Sequence, residues 1–503
     1  MVSQVLSAIP IGYEGALIEV EGDTNRGLPG FQIVGMGNKT IDESRERVKS
    51  AITNSGLDFP AKKRITINLA PADLAKDGVY LDLPIALSVL LLAGQLRQNE
   101  VEDKLFVGEL ALDGTLRPVR GVINVVESAA SNGIKTVFLP AKNVGQARLV
   151  GGVEIVGVNN LQELFLHLRG EKVIDITDSN VVQSTTLKRR NSVLIDHILG
   201  QEQAKRAMTI AIAGRHNILI SGPPGAGKTM LAKAATNLLP ELSNEEKVSI
   251  TKIHSIAGYT NNIVHERPFR APHHSASPIS IVGGGAKPKP GEISLAHHGV
   301  LFFDELPEYP RSLLEALRQP LEDGEVTVSR TSYKATYPAD FMMVATMNPC
   351  PCGFLGDPTK ECVCTGNEIA NYQKKLSGPL LDRIDMVVSV AKVENVDLLK
   401  KVELSDRQHN RVKEEISKAR KRQDERYGRK EIYNSSLSSN EVSRKLKLSD
   451  EAKGILSLAS DKMNLSARSY FKIIKVARTI ADLEGAEIIE AAHISEALQY
   501  RKR

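Results

Sequence analysis

The sequence predicts an α/β multidomain protein, and three observations carry that expectation. Its 503 residues are several times the roughly 150 that one domain usually takes. Short runs of Val, Ile, Leu and Phe alternate with helical patterns through most of the chain before the last hundred or so residues, as in layered α/β folds. A glycine-rich segment, Gly222–Thr229, joins an apolar strand to a helix.

Residues 1–170 hold six strand-like runs: Ala16–Val20, Phe31–Val34, Arg64–Asn68, Leu105–Glu109, Thr136–Leu139 and Glu154–Val158. Helices are expected at Thr40–Ser55, Leu83–Leu92 and Gly121–Asn132. Residues 171–192 are polar, lack a period and end in basic residues, which reads as a linker. From 193 to 395 a helix at Leu199–Gly214 and strands at Asn217–Ser221, Val300–Phe303 and Phe341–Thr346 suit a mostly parallel core. Residues 396–503 read as a helical domain, with helices at 407–425, 437–445, 449–459, 466–484 and 490–500.

Composition narrows the function. Apolar residues are 42% and charged residues 25%, the range of soluble globular proteins. A net charge of +5 permits a nucleic-acid partner without requiring one. Aromatics at 4% and no Trp argue against aromatic base-stacking platforms. The N-terminus lacks a basic stretch followed by a long apolar run, so no signal peptide is expected. The most apolar stretch, Leu83–Gly94, is too short for a bilayer. A cytoplasmic protein with no membrane partner is expected.

Gly222-Pro223-Pro224-Gly225-Ala226-Gly227-Lys228-Thr229 fits the phosphate-loop pattern. Glycines let backbone N–H groups close on phosphates at a helix N-terminus. Lys228 would reach the β and γ phosphates of ATP, and Thr229 would hold Mg²⁺. The apolar run Gly299–Phe303 ends in Asp304 and Glu305, 76 residues after Lys228. Asp304 can coordinate the magnesium, and Glu305 can polarise an attacking water. Asn348 follows the strand Phe341–Thr346, where its amide can touch the γ-phosphate or that water.

These segments resemble the AAA+ ATPases, and among them the magnesium chelatase-like YifB/ComM family. The resemblance spans nearly the whole chain and also rests on Arg267–Ser277, Leu301–Pro307, Met347–Gly353, Gly378–Asp385 and Leu465–Arg468. It implies an AAA+ core with a helical lid and a homo-oligomeric, hexameric ring. It implies sensor roles for Asn348 and Arg468, and for Arg383 the role of a finger reaching the next subunit's nucleotide. A planar guanidinium suits a phosphoryl group gaining charge.

The long segment between Lys228 and Asp304 holds Arg267–Ser277 and Val282–Glu292, the latter with Lys287 and Lys289. Both read as cationic loops. In the family this region is similar to pore hairpins, and a cationic pore loop can follow a nucleic-acid backbone. His273-His274 and His297-His298 lack helix-borne metal spacing and read as non-metal pairs.

Cys350, Cys352, Cys362 and Cys364 form two CxC knuckles and are the only cysteines. Structural Zn²⁺, reduced thiols and a disulfide all remain open. Residues 407–430 carry ten basic against four acidic side chains, a candidate nucleic-acid surface or a solvated lid helix.

Ile65–Pro84, Gly108–Gly114 and Gly133–Pro140 resemble a Lon-protease-type α+β domain. Tyr80 stands where that family has its nucleophilic Ser, and Ile123 where it has its Lys base. The resemblance therefore implies an inert binding or assembly module. For the whole chain it implies an ATP-driven DNA helicase or branch-migration motor in recombination and natural transformation. The alternative is a chelatase-like or MoxR-like ATPase that remodels a protein complex. An active Lon-type protease is disfavoured by Tyr80 and Ile123.

Overall fold

A computed structural model describes residues 2–25, 27–35, 40–74, 76, 78–174, 193–260, 262–285, 289–330, 333–357, 360–392, 407–429 and 432–501. The linker expected at 171–192 lies, beyond Ile174, outside the described residues, as do 396–406 at the start of the expected helical domain.

The N-terminal unit is built on a mixed seven-stranded sheet. Its order is Gly30–Val34, Arg64–Ala70, Glu14–Asn25, Val2–Ile11, Lys104–Phe106, Thr136–Pro140, Glu154–Val158. The two longest strands form a tight hairpin, Ile11 opposite Glu14, with Gly12 supplying the positive φ of the turn. Ile65, Ile67 and Leu69 alternate inward. They pack on the helix Asp82–Leu92, which is buried along its whole length. Leu105, Val137 and Leu139 pack instead on Val122, Val125 and Val126 of the helix Val122–Ser131.

The second sheet is parallel throughout, in the order Phe269–Arg270, Val300–Phe303, Met342–Met347, Ile218–Ser221, Met386–Ser389. Alternation sorts its side chains by face. Ile218, Ile220, Phe302 and Val344 face Ala207, Ile210 and Leu231 and join the same core as Ile416, Ile473 and Ile480 of the C-terminal helices. Leu219, Leu301, Phe303 and Met343 face Leu313, Leu317 and Tyr337. The C-terminal helices therefore close one face of the parallel sheet.

Several elements depart from the sequence expectation. The first strand, Val2–Ile11, and the helices Leu161–Leu168 and Asn244–Ala257 were not expected. Nor was the hairpin of Glu325–Arg330 with Tyr333–Pro338. The helix expected from Leu199 begins at Glu202, because Gly200 and Gln201 take left-handed φ of 59°. The strand expected at Leu105–Glu109 is divided: Lys104–Phe106 stays in the sheet, while Glu109–Leu110 pairs with Leu116–Arg117.

The helix Asn244–Ala257 joins the two sheets. Ser249 Oγ lies 2.9 Å from the Tyr13 hydroxyl and 3.0 Å from His297 Nε2. Ser255 Oγ accepts from the Gly121 N–H at 2.9 Å and donates to Gln146 Oε1 at 3.2 Å. Lys252 pairs with Glu127 and stands 4.0 Å above the Tyr13 ring. No described helix is long and apolar enough to cross a membrane.

Candidate functional site

The strand Ile218–Ser221 delivers the chain into Gly222–Gly227, and the helix Lys228–Leu238 leaves it. Gly225 and Gly227 both sit at φ +80°, which a side chain would strain, and Gly227 caps the helix. Lys228 is buried, and its ammonium donates to the Gly222 carbonyl, to Pro223 O at 3.2 Å and to Asn348 Oδ1 at 2.7 Å. Burial pushes the Lys228 ammonium below its ordinary range, and Asp304 and Glu305 offset part of that. A buried cation resting on carbonyls is poised to exchange them for phosphate oxygens.

Asp304 and Glu305 stand at the end of Val300–Phe303, both exposed toward this loop. Thr229 Oγ1 donates to Asp304 Oδ2 at 3.3 Å, and Thr346 Oγ1 donates to Asp304 Oδ1 at 2.6 Å. Thr346 Oγ1 also accepts from the Glu305 N–H at 2.9 Å. Asn348 Nδ2 reaches Glu305 Oε1 at 3.4 Å. Glu305 takes a left-handed φ of 53°, a costly backbone for a non-glycine. Hydroxyl, carboxylate, lysine and amide thus converge at one end of the sheet. The donor set fits a triphosphate with a hard divalent cation. Thr346 was not singled out from the sequence. Its signal is that it is the one polar side chain in Met342–Met347, a hydroxyl in an otherwise apolar strand.

Arg383 and Arg468 are elsewhere. Asn217, at the start of the same central strand, donates through Nδ2 to Arg383 O at 3.1 Å. Arg383 therefore lies at the end of the sheet opposite the glycine loop. Its guanidinium pairs with Glu322, donates to Arg318 O at 2.9 Å and to Pro379 O at 2.8 Å. Arg468 Nη2 binds the other Glu322 oxygen at 2.8 Å. Burial pushes the Glu322 carboxyl up, but Arg468 and Arg383 outweigh it and hold it below its ordinary value. Arg383, Arg468, Glu322, Lys472 and Lys475 line a cleft of about 690 Å³. Nothing in the sequence marked Glu322.

The inserted segments behave differently from plain loops. Arg267 is buried, clamped bidentately on Glu246 and bonded to Pro240 O and His298 O. Arg270 is paired with Glu292 through two 2.6 Å bonds. Both arginines hold structure together rather than presenting charge, which corrects that part of the cationic-loop expectation. Gly283–Gly284 pairs with Lys289–Pro290, leaving Lys289 exposed at a hairpin whose turn, with Lys287, lies outside the described residues. Lys334 is exposed on the second hairpin. His273 stacks on His274 at 4.0 Å and bonds Ser275. The His297 and His298 rings lie 3.8 Å apart, tilted, with His297 buried and His298 half-buried, and desolvation holds them down to about 3 and about 4.

The basic count at 407–430 also changes meaning. Arg420 lies 3.8 Å over the Tyr433 ring, Arg422 donates to Asp482 O, and Arg426 pairs with Asp482. These three turn inward. Lys418 and Arg411 pair with Glu414 and Glu415 on the helix surface. Lys430 lies outside the described residues.

The four cysteines are free thiols whose sulfurs lie within 4.8 Å of one another. Cys350 Sγ is 3.4 Å from Cys352 Sγ and 3.6 Å from Cys362 Sγ. These separations are far beyond a bond of about 2.05 Å, so no disulfide joins them. In the N-terminal unit Tyr80 packs against the apolar cluster that contains the fully buried Ile123. Lys76 is also buried, its ammonium on the carbonyls of Gly35, Pro71 and Leu74.

Comparison with known proteins gives three family matches. Residues 195–398 match "Magnesium chelatase, subunit ChlI", residues 20–143 match "Subunit ChlI of Mg-chelatase", and residues 406–501 match "Magnesium chelatase, subunit ChlI C-terminal". The chain is 42% identical to the competence protein ComM of Haemophilus influenzae, over 99% of this chain and 97% of that protein. It is also 42% identical to YifB of Escherichia coli, over 98% of this chain and 95% of YifB. A 67 kDa magnesium-chelatase subunit of Chlorobaculum parvum is 28% identical over 30% of this chain and 23% of its own length.

Proposed function

Because this chain belongs to the YifB/ComM family of magnesium chelatase-like AAA+ ATPases, we propose that it is a hexameric ATP-driven motor that moves branched DNA, acting in the cytoplasm during recombination and competence. The observation that carries the ring is the separation of the charged groups. Lys228, Thr229, Asp304, Glu305 and Asn348 gather at one end of Ile218–Ser221, and Arg383 and Arg468 at the other. Among the described residues Arg383 and Arg468 do not reach this chain's own glycine loop, which supports their delivery by a neighbouring copy.

In this reading the N–H groups of Gly222–Thr229 and Lys228 hold the β and γ phosphates of ATP. Magnesium, held through Thr229 and Asp304, would neutralise phosphate charge. Asn348 orients Glu305, whose carboxylate takes the proton of the attacking water. Arg383, with Arg468 beside it, meets the γ-phosphate of the adjacent subunit, and Glu322 holds both until then.

The DNA assignment is supported by the competence name of one relative and by exposed Lys289 and Lys334 on two hairpins. The inward turn of Arg420, Arg422 and Arg426 moves it away from the helix at 407–427. The N-terminal unit, resembling an inert Lon-type domain, serves as an assembly module. The deciding experiment measures ATP hydrolysis with and without forked and four-way DNA junctions, and movement of those junctions. DNA stimulation and ATP-dependent movement are expected, both lost in Glu305→Gln. Stimulation by a protein partner instead, with no response to any branched DNA, would assign the remodelling activity of the chelatase-like alternative.

A further inference from the structure

We propose that Cys350, Cys352, Cys362 and Cys364 hold one structural Zn²⁺, and that this ion fixes the segment after Asn348 against the phosphate loop. The geometry of the sulfurs points to a single ion. Zinc–sulfur bonds of about 2.3 Å in a tetrahedron place the sulfurs about 3.8 Å apart. Here Cys352 and Cys362 lie 3.6 Å apart, as do Cys350 and Cys362, and Cys350 and Cys352 lie 3.4 Å apart. The fourth sulfur, of Cys364, accepts the Cys352 N–H at 3.4 Å and closes the group within 4.8 Å. Among the described residues this is the one cluster of His, Cys, Asp and Glu with such spacing. Four thiolates leave no position for water, so the ion is structural. Among the described residues between Gly353 and Glu361 the side chains are largely exposed or half-exposed, so burial does little to hold this loop.

The placement gives the ion a task. Asn348, which touches both Lys228 and Glu305, is two residues before Cys350. On the other side of the first knuckle, Gly353 lies so close to the phosphate loop that a methyl group there would stand 2.8 Å from Pro224 Cδ. Gly353 sits at φ +85°, with its N–H bonded to Cys350 O at 3.0 Å. The first knuckle is thus wedged between the amide that contacts the lysine and the loop that carries it. Without the ion the two knuckles lose their shared anchor, and both contacts lose support.

The metal part stands independently of the ATPase reading; the coupling part rests on it. Untagged full-length protein, prepared without chelator, is assayed for metal and for ATP binding and turnover. About one zinc per chain is expected, as a closed four-thiolate site requires. Cys362→Ser, on the more exposed knuckle, should lose the zinc and slow turnover while its circular dichroism stays that of the parent. Stripping the parent with chelator should do the same, and adding Zn²⁺ back should restore turnover. Gly353→Ala should keep its zinc and still lose turnover, which a purely local fold role would not produce. Negligible zinc with four titratable thiols, or iron with visible absorption, overturns the site. Zinc that can be removed without changing ATP binding or turnover overturns the coupling. Full zinc in a protein without ATPase leaves the metal site standing and sinks the motor reading instead.

Discussion

The two ends of the strand Ile218–Ser221 carry differently partnered charged groups. At its C-terminal end Lys228, Thr229, Asp304, Glu305 and Asn348 are bonded to one another, an assembled site. At its N-terminal end Arg383 and Arg468 are bonded to Glu322, occupied by a partner that carries no phosphate. Among the described residues the first end gathers a lysine, hydroxyl, carboxylates and an amide, and the second gathers the two arginines. The difference is what supports the proposal that the catalytic unit is the contact between two copies rather than the single chain.

The largest effect should come from Arg383→Ala. An arginine acting across subunits is worth about a thousand- to a hundred-thousand-fold in turnover. ATP binding to the isolated subunit, followed by titration calorimetry, should be unchanged. Mixing Arg383→Ala with Lys228→Ala should recover part of the activity, since each supplies what the other lacks. Verified mixed rings without recovered turnover would break the comparison.

Next comes Glu305→Gln, where loss of a general base costs about a hundred- to ten-thousand-fold. ATP affinity should be retained there and lost in Lys228→Ala, whose cation no longer meets the phosphates. Equal loss of affinity in both would merge two roles that the geometry separates.

The smallest effects sharpen the contrast within the arginine end. Asp385 lies there too, next to Lys472 at 3.3 Å and accepting the Asn217 N–H at 3.0 Å. Burial pushes its carboxyl up, but Lys472, His216 and the Asn217 N–H outweigh it and leave it well below its ordinary value. Asp385→Ala should cost about 3–5 kcal/mol, the price of an uncompensated buried partner. Because the native value is lowered, that stabilisation is fully present above the ordinary aspartate range near pH 4 and is lost as pH falls through the native value. The gap in unfolding free energy between parent and variant should therefore be flat at neutral pH and narrow only in acid. Glu322, half-exposed, should behave as a surface ion pair: Glu322→Gln should change stability by no more than about 1 kcal/mol.

Local features were legible in the sequence and spatial ones were not. Gly222–Thr229 and Asp304–Glu305 could be read because loop, cation and carboxylates each sit next to an apolar strand. Asn348 could be placed only by counting core strands. The opposite location of Arg383 depends on sheet order, which no local pattern encodes, and Glu322 became visible only once its two partners met on it. Counting charge on 407–430 overstates its free cations for a related reason: Arg420, Arg422 and Arg426 reach a ring, a carbonyl and a carboxylate across the lid, and a charge total cannot see a partner distant in sequence. The hairpin at 325–338 was missed because its outward Thr, Ser and Lys mask the inward alternation of Val326, Val328, Ala335 and Tyr337.

The hydroxyl of Ser249 that joins the two sheets also settles where a proton sits. A backbone N–H can only donate, so the 3.0 Å bond from Asp340 N makes His297 Nδ1 an acceptor. The neutral ring then carries its hydrogen on Nε2 and gives it to Ser249 Oγ. Ser249 and Tyr13 exchange the last bond in the row. The first two bonds of the row have a fixed direction, either hydroxyl can donate in the last, and no member of it needs to be charged. With His297 held down to about 3, mild acid that protonates an ordinary histidine leaves this junction uncharged. The two halves of the chain are thereby joined by a contact indifferent to cellular pH.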